Sequence, residues 1–162
     1  MLHYVEFGIS HLEVPDEVTL CIYISGCPNK CVNCHYQELQ QVDAGEKLVT
    51  YFDQMLDLYR EYVTCVSFMG EGDGSIESKN EILSYVHECN KRGYKTCLYS
   101  GRDTIIEAWM NQFDYVKVGS YCEELGPLTS ETTNQRMWKR LSDNEFEDIT
   151  FRFWSIEEGN AP

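Results

Sequence analysis

Residues 18–34 of the chain read Val-Thr-Leu-Cys-Ile-Tyr-Ile-Ser-Gly-Cys-Pro-Asn-Lys-Cys-Val-Asn-Cys. The first seven residues are rich in β-branched and aromatic side chains and almost continuously apolar, which is typical of a buried parallel strand. The run ends at Ser25-Gly26, and three cysteines follow within residues 27–34. This stretch predicts a strand that carries a cysteine-rich loop to the edge of a sheet.

The same strand-then-helix unit recurs further along the chain. Short apolar runs predict three more strands, at residues 64–69, 94–100 and 115–118. The segments between the strands predict crossover helices, at residues 46–62, 80–92 and 104–110. This alternation predicts an α/β fold with a mainly parallel sheet, in which the cysteine loop follows the first strand. Because four strands cannot close an eight-stranded barrel, we expect an open or partial (β/α) barrel.

The composition indicates one packed domain. Hydrophobic residues make up 43% of the 162 residues, and no repeat or low-complexity stretch divides them. We therefore expect residues 1–162 to form a single domain, with a short irregular tail from about residue 141. Residues 149–154 alternate enough to predict a late strand.

The charge and the N-terminus limit the classes of partner. A net charge of −14 repels phosphate backbones, so nucleic acid is not an expected partner. The N-terminus lacks a secretion signal and no apolar run approaches ~20 residues, so we expect a cytoplasmic protein without a membrane partner. Its eight cysteines should then be mostly reduced. Four of them fall in predicted strands or on a helix face and should be buried: Cys21, Cys65, Cys89 and Cys97.

The spacing of Cys27, Cys31 and Cys34 favours an iron–sulfur cluster. A four-iron cluster takes four ligands, so a loop that offers three thiolates leaves one iron open to bind something else. Coincidental spacing and a zinc site are the alternatives, with His35 as a fourth zinc ligand. Adjacent Cys34 and His35 rarely fit one metal well, and no second cysteine pair with two-residue spacing is present.

Loops at the other strand ends carry further candidate residues, because ligands of parallel sheets bind beyond the carboxyl ends of the strands. One such loop is Gly70-Glu71-Gly72-Asp73, where glycines permit close backbone approach and a carboxylate can pair with a cation. An ordinary acidic turn is the alternative for this loop. Ser100 ends the third predicted strand, and Lys117 lies near the end of the fourth.

The Cys-x3-Cys-x2-Cys loop after a strand resembles that of the radical S-adenosylmethionine enzymes. The resemblance implies that the open iron chelates S-adenosylmethionine and that the reduced [4Fe-4S] cluster cleaves it to a 5′-deoxyadenosyl radical. It also implies that the 70–73 loop holds the amino group of the cofactor, through Glu71, Asp73 or backbone carbonyls. Many members place an aromatic before the last cysteine to contact adenine, whereas this chain has Asn33, so His35 or Tyr36 would take that role.

Other segments resemble the activating protein of anaerobic ribonucleoside-triphosphate reductase, over residues 5–140. The matching segments are 24–28, 34–36, 116–121, 124–128 and 132–136. The resemblance implies that a glycyl radical is made on the large reductase subunit, by removal of a hydrogen atom from a glycine Cα. It implies a flavodoxin-type or ferredoxin-type reductant and makes Lys117 a candidate for cofactor or partner contacts. No protein acid, base or nucleophile is required, because the cluster and cofactor carry the chemistry.

Three other functions remain open at the level of sequence. Within enzymes, the alternatives are activation of another glycyl radical enzyme, such as a formate-lyase, and small-molecule radical chemistry, as in deazapurine synthesis. Outside enzymes, the alternative is an electron-transfer or zinc-binding module whose acidic surface docks a partner.

Overall fold

The computed structural model describes residues 1–156 of the chain and contains strands, two α-helices and short 3-10 helices. The strands are β1 (His3–Ser10), β2 (Thr19–Ile24), β3 (Glu46–Lys47), β4 (Cys65–Met69), β5 (Lys95–Tyr99), β6 (Tyr115–Val118), β7 (Arg136–Ser142) and β8 (Glu145–Asp148). The α-helices are α1 (Leu48–Leu58) and α2 (Ile76–Lys91). The 3-10 helices are Gln37–Gln40, Ala108–Gln112 and Thr150–Ile156. None of the helices in these described residues is long and apolar enough to cross a membrane.

All the strands of the described residues join one open sheet, in the order β3-β1-β2-β4-β5-β6-β7-β8. The central strands β2, β4, β5 and β6 pair in parallel, as the strand–helix alternation predicted. The four remaining pairings, β1–β2, β1–β3, β6–β7 and β7–β8, are antiparallel. The α/β class is therefore confirmed. The prediction of a partial barrel with a mainly parallel sheet is wrong, because antiparallel strands extend the sheet on both sides.

The prediction that the cysteine loop follows the first strand is also wrong, because β1 precedes β2. A register irregularity between Tyr4 and Glu6 interrupts the alternation of β1, so its sequence lacks the pattern of a regular strand. Strand β8 lies at the edge of the sheet, where charged side chains are tolerated, and β7 beside it carries three basic residues, so neither has the apolar run of the central strands. This hairpin occupies residues 136–148, which include the start of the segment expected to be an irregular tail.

Two other local predictions are wrong. The predicted late strand at 149–154 is largely the 3-10 helix Thr150–Ile156, in which Phe153 is buried, while Ile149 is buried just before the helix. The pattern of residues 149–154 does not decide between a strand and a helical turn, because residues four apart share one face in both. The predicted helix at 104–110 is replaced by an irregular segment and the 3-10 helix Ala108–Gln112.

The hydrophobic core lies between the helices and one face of the sheet. Helix α1 buries Leu48, Phe52, Met55 and Leu56, which follow the helical period. They belong to one cluster with alternate residues of the central strands, among them Phe68. The opposite face of the sheet carries a second buried cluster, which includes Val14 and residues of the last 3-10 helix. The four cysteines expected to be structural are all buried, which confirms that prediction: Cys21, Cys65, Cys89 and Cys97.

Candidate metal and cofactor site

The cysteine loop leaves β2 through Gly26, whose backbone has φ +92°, a conformation that favours glycine. Backbone hydrogen bonds then hold the loop against the segment before β3: Gly26 N donates to Gln41 O (3.1 Å), and Cys27 N donates to Leu39 O (2.7 Å). Cys34 N donates to Cys31 O (3.3 Å), which closes a turn between the last two cysteines. The loop is thus a defined structure, fixed by its own backbone.

All three thiols line one cavity of about 380 Å³. Cys27, Cys31 and Cys34 are each partly buried. Burial raises the pKa of Cys27 above its usual value, and the thiols of Cys31 and Cys34 act in the same direction. Because the three side chains line the same cavity, the loop directs them towards one space.

One row of side chains across the parallel strands forms the floor of this cavity. Tyr23 pairs in register with Met69, Met69 with Tyr99, and Tyr99 with Lys117. All four residues line the cavity. Because alternate residues of a strand point to opposite faces, the cavity lies on the sheet face opposite the helices. It sits at the carboxyl ends of the strands, where ligands of parallel sheets bind.

Lys117 brings a cationic group to this floor. Its side chain is buried, and Nζ donates to the carbonyl oxygen of Gly119 at 2.6 Å. Nζ also lies 6.0 Å from the ring centroid of Tyr99. Burial lowers the pKa of Lys117 to about 8, while Asp103 and the three loop thiols oppose this change. At pH 7 the group is therefore still mainly protonated, and it can balance negative charge in the cavity.

Aromatic rings form part of the cavity wall. His35 and Tyr121 lie with ring centroids 5.4 Å apart, and Tyr36 stacks on Tyr23 at 4.5 Å. Both predicted residues, His35 and Tyr36, thus line the cavity while remaining exposed to solvent. Ser100 also lines the cavity, is fully buried, and donates its backbone N–H to Lys117 O at 2.7 Å.

Only part of the Gly-Glu-Gly-Asp loop, residues 70–73, lines the cavity. Gly70 lines the cavity and has φ +125°. Glu71 is buried, and its carboxylate accepts hydrogen bonds from Arg102, so it is absent from the cavity lining.

Gly72 and Asp73 line a separate depression, next to the N-terminus of the chain. Asp73 Oδ1 accepts hydrogen bonds from Ser75 N (3.0 Å), Ser75 Oγ (2.6 Å) and Ser78 Oγ (2.7 Å), at the start of α2. These bonds lower the pKa of Asp73 to about 2. Of the four predicted loop residues, the structure therefore brings only Gly70 to the three thiols.

Several cavity residues were not singled out from the sequence. The floor residues Tyr23, Met69 and Tyr99 lie at or next to strand ends, and their alignment in one row depends on the register of the strands, which the sequence does not reveal. Other residues come from the connection between β6 and β7: Tyr121, Pro127, Leu128 and Gln135. They fall within the segments that carried the resemblance to the reductase activating protein, but their place in the fold was not evident from sequence.

Two asparagine side chains join the cysteine loop to neighbouring loops. Asn29 Nδ2 donates to Gly101 O, after β5. Asn33 has φ +56°, and its Nδ2 donates to Glu123 Oε2 at 2.6 Å. The loop is thereby fastened to the connections that follow β5 and β6.

The donor set fits an iron–sulfur cluster. Thiolates are the usual ligands of such clusters, and Lys117 supplies a positive charge beside them. In the part of the chain that the structure describes, no three His, Cys, Asp or Glu side chains are arranged to hold a single metal ion. This spacing is compatible with a cluster, because each of its irons takes its own thiolate.

The chain matches the family described as "4Fe-4S single cluster domain" over residues 17–125, which is more than half of its length. It therefore belongs to this family of iron–sulfur proteins. The match covers the three cysteines and the parallel strands β2, β4, β5 and β6. The prediction of a bound [4Fe-4S] cluster is thus confirmed at the level of the family. Comparison with curated proteins and with solved structures gave no match.

Proposed function

We propose that the protein is a radical S-adenosylmethionine activase that makes a glycyl radical on anaerobic ribonucleoside-triphosphate reductase. One observation carries the proposal: three thiols of a Cys-x3-Cys-x2-Cys loop open into a cavity at the carboxyl ends of four strands. Three thiolates bind three irons of a [4Fe-4S] cluster and leave the fourth iron for a ligand from the cavity. When bound, the cluster supplies the electron that cleaves S-adenosylmethionine, and the resulting 5′-deoxyadenosyl radical removes a hydrogen atom from a glycine Cα.

The residues of the cavity have matching tasks. Cys27, Cys31 and Cys34 hold the cluster. Lys117 offers a cation to the carboxylate of S-adenosylmethionine, in a buried site where charge-assisted hydrogen bonds are strong. The carboxylates of Glu71 and Asp73 are engaged by protein groups, so the ammonium group of the cofactor would meet backbone oxygens near Gly70.

Aromatic and small residues complete the cavity. His35 and Tyr36 would cover the adenine, and Ser100 would meet the polar part of the cofactor. The cavity is lined mainly by apolar and aromatic groups, which exclude water from a reactive radical. None of these residues needs to act as an acid, base or nucleophile.

The partner in this proposal is the large reductase subunit, whose glycine-bearing loop would enter the cavity beside Pro127 and Leu128. A flavodoxin-type or ferredoxin-type protein in the cytoplasm would supply the electron. The likeness of segments 116–121, 124–128 and 132–136 to the reductase activating protein supports this choice of partner.

The test is electron paramagnetic resonance of the reductase after incubation with the reduced, cluster-loaded protein and S-adenosylmethionine under anaerobic conditions. A glycyl radical doublet is expected with the wild-type protein and not with Cys27→Ala. A silent reductase, despite cleavage of S-adenosylmethionine, would assign the protein to a different substrate.

Electron transfer is the second candidate, because membership of a single-cluster family suits it equally well. A cluster that ignores S-adenosylmethionine in both binding and cleavage would favour electron transfer. Zinc without sulfide in the purified protein would exclude both functions.

A further inference from the structure

Glu71 forms an ion pair with Arg102 that the sequence did not predict, in which the carboxylate is buried and the guanidinium is partly exposed. Its side chain is 6% exposed. Arg102 binds both carboxylate oxygens: Nε donates to Oε2 at 3.1 Å and Nη2 donates to Oε1 at 3.2 Å. This two-point arrangement fixes the orientation of both side chains. The carboxylate of Glu71, which the sequence predicts as a partner of the cofactor's amino group, is therefore already paired with the guanidinium of Arg102.

Arg102 also connects the loops that follow three neighbouring strands. Its side chain reaches Glu71 after β4 and Glu107, whose Oε1 lies 2.5 Å from Nη1. Its backbone N–H donates to Ser100 Oγ at 3.2 Å, and its carbonyl oxygen accepts from Gly119 N at 2.8 Å. A single residue thus joins the ends of β4, β5 and β6, next to the cavity.

Arg102 and its partners lie next to residues of the cavity lining. Gly70 precedes Glu71, and both Gly70 and Ser100 line the cavity. Glu107, on the far side of the guanidinium, accepts from Trp109 Nε1 at 2.8 Å and from Lys79 Nζ at 3.3 Å. Arg102 is therefore connected to α2 through Glu107 on one side and to the cavity-lining segments on the other.

From these contacts we infer that Arg102 is a positioning residue for the cofactor site, which acts by holding Glu71 away from the cavity and the Gly70 backbone against it. The inference rests on the proposed function for the identity of the ligand, S-adenosylmethionine. Removing one partner of a buried ion pair leaves an uncompensated charge, whereas neutralising both partners does not. Loss of Arg102 alone should therefore release the loop, and a second neutralising change at Glu71 should restore it.

The experiment compares Arg102→Gln, Glu71→Gln and the double variant, each loaded with its cluster under anaerobic conditions. We expect Arg102→Gln to weaken S-adenosylmethionine binding about 100-fold, with normal iron content, because the uncompensated Glu71 carboxylate would displace the adjoining Gly70 backbone from the cavity. Glu71→Gln should weaken binding less than about 10-fold, since an amide oxygen still accepts from the guanidinium. The double variant should bind nearly as well as Glu71→Gln.

The matched control is Arg92→Gln, which removes a guanidinium that also bridges carboxylates, those of Asp53, Asp57 and Glu88, beyond the end of α2. It should leave cofactor binding unchanged. Arg102→Lys should bind better than Arg102→Gln, because the positive charge is kept.

Two results would overturn the inference. One is a Glu71→Gln variant that loses as much affinity as Arg102→Gln, with no recovery in the double variant, which would make Glu71 a direct ligand of the ammonium group.

The other comes from hydrogen exchange, which needs no cofactor: Arg102→Gln should speed exchange at residues 70–74 and 100–103, and Arg92→Gln should not. Unchanged exchange in Arg102→Gln would refute the positioning role. Wild-type protein that loads a cluster but does not bind S-adenosylmethionine would instead refute the proposed function, and hydrogen exchange would still decide the role of Arg102.

Discussion

Gly119 follows β6 and closely approaches the backbone of the segment that leads into β7. Its φ is +108°, and a Cβ placed on it would lie 2.9 Å from Gln135 Cα and 3.3 Å from Asn134 O. Both neighbours are backbone atoms, so no side-chain rotation can relieve the contact. Gly119→Ala must therefore displace the segment that holds Gln135 in the cavity wall.

The cost of this substitution has two parts. A non-glycine residue at this φ costs about 1–3 kcal/mol, and overpacking against fixed atoms adds about 1–3 kcal/mol. We expect Gly119→Ala to lower the free energy of unfolding by about 2–6 kcal/mol, a large share of the roughly 5–15 kcal/mol that stabilises a typical domain. The protein should also lose affinity for S-adenosylmethionine, because the cavity wall shifts.

The matched control is Gly93→Ala, just beyond α2. Gly93 has φ +82°, and no atom lies within 4 Å of a Cβ placed on it. It should lose only the backbone part, about 1–2 kcal/mol, with unchanged cofactor affinity. Anaerobic urea unfolding of the three proteins measures the difference. Equal destabilisation of the two variants would show that the approach of Gly119 to Gln135 is not tight, and would refute the reasoning.

Three further perturbations separate the roles of individual residues. Asp73 keeps a low pKa through hydrogen bonds from groups such as Ser78 Oγ, so its contribution to stability is present above pH 4 and is lost as pH falls towards 2. Asp73→Asn lacks this titrating carboxyl. Its free energy of unfolding, measured in urea, should therefore fall by about 1 kcal/mol less than that of the wild type between pH 5 and 2, after allowance for exposure. Asn29→Ala removes the bond to Gly101 O, and the cluster should be lost to a chelator several-fold faster. Lys117→Met should weaken S-adenosylmethionine binding about 10- to 100-fold, measured by equilibrium dialysis.

Each of these perturbations has a control or a contradicting outcome. An acid-unfolding profile of Asp73→Asn that parallels the wild type would show that Asp73 does not titrate as described. Asn111→Ala removes another amide hydrogen bond, an exposed one to Asn144 Oδ1 outside the cavity lining, and should leave chelator resistance unchanged. Lys95→Met removes a lysine from the opposite end of the strands, where Nζ lies 5.9 Å from the Tyr115 ring centroid, much as Lys117 approaches Tyr99. Lys95→Met should destabilise the fold, because Glu17 loses its ion-pair partner, and should leave cofactor affinity unchanged.

The parallel centre of the sheet was predictable because buried strands leave a strong pattern. The predicted strand at 115–118 matches β6 at both ends, those at 18–24 and 64–69 begin one residue early, and the one at 94–100 is one residue too long at each end. The antiparallel extensions were not predictable in the same way. The strand β1 contains an irregularity after Tyr4, and β8 is largely exposed, so neither presents the periodicity of a half-buried strand.

The cysteine loop was predictable because its ligands are close in sequence, whereas the rest of the cavity depends on contacts across the fold. The row Tyr23, Met69, Tyr99 and Lys117 exists only through the register of four strands. The Glu71 carboxylate pairs with Arg102, which comes from another loop and belongs to no sequence motif. Local composition could offer a carboxylate to a cation, but it could not say which cation would be nearest.

The central claim is that a three-thiolate cluster leaves one iron open to S-adenosylmethionine. The most direct measurement is the amount of 5′-deoxyadenosine formed when the reconstituted protein is reduced anaerobically in the presence of S-adenosylmethionine. We predict that wild-type protein forms 5′-deoxyadenosine and that Cys27→Ala, Cys31→Ala and Cys34→Ala do not. Wild-type protein that carries four irons and four sulfides per chain, accepts an electron, and yet forms no 5′-deoxyadenosine would contradict the claim.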